Sequence, residues 1–225
     1  MGALAVHIKA TYLQLRIYIL SIIIFILIGR LTLFIFSIFI DLSQSKGLSV
    51  GNMLIIILLL IAIALPLSYY KRIVHVGASR EQYFKGLQFV FAVWAAAIAL
   101  FNSLWLVFEV NVLHTNTVDL IKAFHWDDFG LAGSFLYQTA FYLMVMALLS
   151  MLVSGYYHPV GWLLSALLIA AIPIGTAIPS LRVHVVFFFK TLLFSSSLLA
   201  GVGINLMFYI IFVAGGWFFT RKRTY

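Results

Sequence analysis

The side chains able to do chemistry are few and scattered. His114, Asp119, His125, Asp127 and Asp128 fall in one short stretch, and imidazoles with carboxylates are ligands for divalent ions. Their spacing matches no strong metal motif, so an acidic loop capping the mouth of a helix bundle is the favoured reading. Residues 130–134 read Gly-Leu-Ala-Gly-Ser, which only superficially resembles a serine-nucleophile turn, and no histidine is placed opposite it. Neither GxxxxGK[ST] nor HExxH occurs, so nucleotide hydrolysis by the Walker mechanism is not expected, and no enzymatic activity is expected of the chain. With 0 cysteines there is no thiol catalysis, disulfide framework or cysteine-held metal. The reading is of a chain that binds no metal and no cofactor of its own.

The elements that must position these residues lie in a membrane. Of 225 residues, 64% are hydrophobic and 9% charged, with a mean hydropathy of +1.14, which is outside the range of soluble domains. Apolar runs at or near the length that crosses a bilayer cover 18–40, 50–70, 87–110, 131–153, 161–178 and 192–219. The fold expected is all-α: one polytopic membrane domain over 1–225, with six transmembrane helices. The fifth run is short and the sixth long, and tilt or a break near Gly201 and Gly203 would absorb the excess. Residues 1–17 place Leu4, Ile8, Tyr12 and Leu15 at near-helical spacing with Lys9 and Arg16 interspersed, which suits an amphipathic interfacial helix.

Charge orients the bundle. An even number of spans puts both termini on one side, where Lys9, Arg16, Lys71, Arg72, Arg80, Lys85, Arg221, Lys222 and Arg223 face a single acid, Glu81. Basic loops mark the cytoplasmic side, so both termini are expected there and the net charge of +8 reads as a topology signal. No nucleic-acid partner is expected. Localisation is expected to be a cell membrane, the bacterial cytoplasmic membrane in particular, with lipid as a partner.

Two connections stand out besides the acidic one. Residues 71–86 are basic; Gly77 can break a helix, and Ser79 with Gln82 three residues on has the form of a capping box. A short basic helix with exposed Tyr83 and Phe84 is expected to project there. Residues 179–197 are apolar yet contain Arg182, His184 and Lys190, and Pro173, Gly175 and Pro179 discourage one straight helix. An interfacial or re-entrant element is expected, with Pro179, Arg182, His184 and Lys190 at an external gate. Within the spans, Arg30 is costly at mid-membrane and should face protein or a pathway. Asn102, Gln138 and Asn205 read as interhelical hydrogen-bonding groups or pathway residues, and Ser195, Ser196, Ser197, Gly201 and Gly203 as a close-packing surface.

This layout, with Gly77, Ala78, Ser79, Arg80, Tyr83, Phe84 and Gly86 in a Gly-Ala-Ser-Arg-x-x-Tyr-Phe-x-Gly pattern, resembles the type-2 ABC exporter permeases. Related permeases of lipoprotein exporters carry large external domains that this chain lacks. The resemblance implies a half-transporter: two permeases, identical or homologous, above two separate ABC ATPase subunits that hold ATP and Mg. Gly77, Ser79, Arg80, Tyr83, Phe84 and Lys85 would form the coupling helix, with Arg80 and Lys85 meeting acidic groups of the ATPase and the two aromatics filling its hollows. Residues 182–195 would form the outer gate. The 21 phenylalanines suit a hydrophobic or amphipathic cargo such as a peptide, drug or lipid-like molecule, and so point towards peptide export or drug resistance. The alternatives are a substrate-binding membrane subunit of an importer and a peptide-immunity or sensor membrane protein.

Overall fold

A computed structural model of the chain describes Arg16, residues 19–29, Leu31 and residues 49–223, apart from Val76 and residues 114–116. Arg30, nearly all of the N-terminal amphipathic segment, nearly half of the expected first span, and His114 lie outside the described residues. The described elements are α1 (Ile19–Gly29), α2 (Val50–Met53), α3 (Ile55–Ala64), α4 (Tyr70–His75), α5 (Arg80–Phe108), α6 (Leu120–Ala123), α7 (Gly130–Gly155), α8 (Pro159–Ala177), α9 (Pro179–Leu193) and α10 (Leu198–Lys222). Among the described residues, five helical stretches are long and apolar enough to cross a membrane: Val50–Ser68, Arg80–Leu113, Trp126–Gly155, Pro159–Ala177 and Leu198–Lys222. The protein is thus an all-helical, multi-pass membrane protein.

Local sequence explains the breaks. Pro66 has no N–H to give the helix, and the ladder widens into a π-turn over Leu65–Tyr69 between α3 and α4. Side chains from elsewhere use the carbonyls there: the Tyr83 hydroxyl donates to Leu65 O at 3.3 Å and Arg223 Nη1 to Pro66 O at 2.8 Å. Gly77 then turns the chain at φ 98°, a left-handed value that suits a residue without Cβ. Ser79 caps α5: its Oγ accepts from Gln82 N at 3.1 Å while its own N–H donates to Gln82 Oε1 at 3.0 Å.

That cap begins a helix of 29 residues rather than a short projecting one. Tyr83 and Phe84 are only 3% and 8% exposed, because the first turn of α5 already packs inward. Tyr83 meets Tyr70 edge-on at 5.3 Å between ring centroids, and Phe84 meets Trp217 at 5.3 Å. The expectation of exposed aromatics on a separate helix is therefore corrected.

The core lies between α3, α5 and α7, around Ile57, Leu58, Ile61, Phe91, Ala95 and Met146. α7 is its centre, packed against α3, α5 and α10. Glycine lets α10 come close: a Cβ at Gly201 would collide with the Tyr137 ring. α10 runs unbroken through Gly201 and Gly203. The length of the sixth apolar run is resolved instead by a break over 194–197, which starts α10 at Leu198 rather than at the expected 192.

Candidate functional site

α8 turns back from α7 where Gly161 lies against Gly155, a contact so tight that a Cβ on Gly161 would overlap the Gly155 backbone. It stays helical through Pro173 and ends at Ile178, whose extended backbone (φ −88°, ψ 116°) precedes Pro179 at the start of α9. A separate helix therefore occupies the segment where an interfacial or re-entrant element was expected. Its far end is fastened to other elements. The Tyr137 hydroxyl and Asn205 Nδ2 donate to Leu192 O at 3.0 and 3.2 Å, and Trp126 Nε1 donates to Leu193 O at 2.8 Å.

α9 thus bridges from the end of α8 to α7 and α10, and a cavity of about 570 Å³ lies along it. Phe141, Met144 and Leu148 supply the α7 wall, Leu168 and Ala171 the α8 wall, and Phe208 and Phe212 the α10 wall. From α9 come Phe188, Leu192 and His184, and His184 is the one polar side chain of the lining among the described residues. A neighbouring cavity of about 400 Å³ shares Ala171, His184 and Val185. The volume is that of a small-molecule site, which is typically roughly 300–1,000 Å³, apolar, with a few orienting polar groups. An apolar body with one hydrogen-bonding group fits this chemistry.

Of the expected gate residues, only His184 lines the cavity. Pro179 is the first residue of α9, Arg182 Nε donates to Thr176 O at 2.9 Å and so ties the α8–α9 corner, and Lys190 is exposed. The intramembrane amides do not converge on it either. Asn102 donates to the Tyr142 hydroxyl at 2.8 Å, Asn205 also donates to Gly201 O at 2.8 Å, and Gln138 is fully buried with neither amide atom hydrogen-bonded among the described residues. Ser134 Oγ lies 2.8 Å from both the Trp126 and Gly130 carbonyl oxygens, a helix-start role rather than a nucleophile's. His125 and Asp128 sit 3.9 Å apart on the surface, and no metal-binding group of three His, Asp or Glu forms among the described residues.

At the opposite end, Arg80 Nη1 donates to Arg221 O, and Lys85 pairs with Glu81 at 2.6 Å in the open. Arg223, 6% exposed, lies over the Tyr70 and Tyr157 rings at 4.5 and 4.2 Å. Sequence reasoning treats this arginine only as a topology charge and misses its burial. The available signal is aromatic: Tyr70, Tyr156 and Tyr157 cluster at the same end of their spans. Compared with protein-family models, curated proteins and solved structures, the chain matches none.

Proposed function

We propose that the chain is the membrane-spanning permease subunit of an ATP-driven exporter for a hydrophobic or amphipathic cargo, completed by a second permease and driven by two separate ABC ATPase subunits that hold ATP and Mg. The observation that carries the reading is the apolar cavity along α9, with its single imidazole. Cargo would enter between α7, α8 and α10 with its polar group towards His184. The outward faces of α8 and α10, where only 11% of each spanning window is buried, would meet lipid or the second permease.

Coupling takes a different form from the one the resemblance implies. Because Tyr83 and Phe84 are inside, the ATPase would meet Arg80, Lys85 and the corner at 77–79, while the two aromatics pass a displacement of α5 to Tyr70 on α4 and Trp217 on α10. Purification through a tag on this chain after co-expression with ABC ATPase subunits tests this. Stoichiometric ATPase, lost with Arg80→Glu, supports the permease reading. Hydrolysis stimulated by a fluorescent acyl-peptide, and unstimulated with Ala171→Trp, supports the cavity's role. Absence of any ATPase together with a small molecule retained through purification would favour the importer binding subunit instead.

A further inference from the structure

The end of the bundle remote from Arg80 holds a polar cluster that the transport reading does not use. Glu109 and Asp119 are 3% and 2% exposed, and Ser49 and Asn102 are 0% and 1%. Hydrogen bonds knit the surrounding backbone together. Ser49 N and Asn52 Nδ2 both donate to Val118 O, at 3.1 and 3.0 Å, and Leu120 N donates to Asn52 Oδ1 at 3.2 Å, so α2 and its cap grip the residues on both sides of Asp119. Asn102 Oδ1 faces α2 at Gly51, where a Cβ would stand 2.5 Å from it.

Three oxygens in this cluster make no hydrogen bond among the described residues: Ser49 Oγ, Asn102 Oδ1 and Asp119 Oδ2. Ser49 stands at the N-cap of α2 without capping it. Its hydroxyl is close enough to influence the Asp119 carboxyl, yet the geometry completes no hydrogen bond between them. Buried polar atoms without partners are costly and rare. The Glu109 oxygens, by contrast, are each occupied, by Trp105 Nε1 and Thr117 Oγ1 at 2.7 Å. Glu109 therefore adds negative field rather than a free ligand.

We propose that Asp119, Ser49 and Asn102 bind an alkali-metal cation, with sodium the matching probe. All three open atoms are hard oxygens, which suit hard cations. One carboxylate with a free oxygen balances one positive charge, whereas a divalent ion is ordinarily held by more carboxylates. Cation binding here is independent of transport, and testing it requires no ATPase and no cargo.

The test is thermal unfolding of the purified full chain in sodium chloride against choline chloride at equal ionic strength. The melting temperature should rise saturably with sodium, and the rise should vanish in Asp119→Asn, which keeps the shape and removes the charge. Ser49→Ala should melt near the wild type in choline and need about tenfold more sodium for the same rise, the loss of one ligand to a charged group. Equal responses of the wild type to sodium and choline would overturn the proposal, as would an undiminished sodium response in Asp119→Asn.

Discussion

The α3–α5–α7 core and the α8–α9 hairpin are both built from strongly apolar sequence and are differently packed. Half of the α7 spanning window is buried against 11% for α8. Hydropathy alone does not separate them, since both stretches are strongly and similarly apolar. What separates them is the neighbour each side chain finds: Phe91 is fully buried between helices, whereas Phe187 is 67% exposed. In a bilayer, exposure of phenylalanine is not a penalty, so the hairpin is free to stand off and leave a cavity.

The largest expected effect tests that contrast directly. Phe91→Ala should cost about 3–5 kcal/mol by leaving a cavity, while Phe187→Ala should change stability by under about 0.5 kcal/mol. Reversible unfolding in mixed micelles measures both, and similar losses would break the distinction. Next comes the joint between the regions. Gly161→Leu pushes against the Gly155 backbone and should cost about 1–3 kcal/mol. It should also abolish binding of an acyl dye in the cavity, because it displaces α8. A smaller effect comes from Asn102, which serves both the core and the proposed cation site: in choline, where only the core contact counts, Asn102→Leu removes the donor to the Tyr142 hydroxyl and should cost about 1 kcal/mol in the same unfolding assay.

The membrane class, the capping box at Ser79 and the break around Pro179 are legible in the sequence, because each depends on local composition or spacing. Which face of α5 is inward is not. Tyr83 and Phe84 follow basic residues in a loop-like stretch, and only the return of α10 to that end supplies Trp217 as a partner. The cavity is equally hidden, since its walls come from four helices and share no sequence pattern. Asp119 is visible as an acid on a loop, but its burial depends on Ser49 and Asn52, far away in the chain.

The smallest effect concerns pH, and it again divides the two regions. Asp119 has its carboxyl raised above the ordinary range, chiefly by burial; the Ile121 N–H and the Ser49 hydroxyl oppose this, the negative Glu109 adds to it, and Lys122 opposes it. A raised folded-state value means that the contribution to stability is full below the unfolded value of about 3.9 and is lost as pH rises through the folded one. In choline, the wild type should therefore lose stability relative to Asp119→Asn as pH rises from about 4 towards neutral. Sodium should reduce that loss by neutralising the carboxylate. The hairpin has no acid at all, because none follows Asp128 in the chain. Amide exchange across α8 and α9 should thus be free of this carboxylate-linked change once corrected for intrinsic rates, while exchange around Ser49 and Asp119 follows it. A parallel pH response in the hairpin would show that the two regions open as one unit despite the difference in their packing.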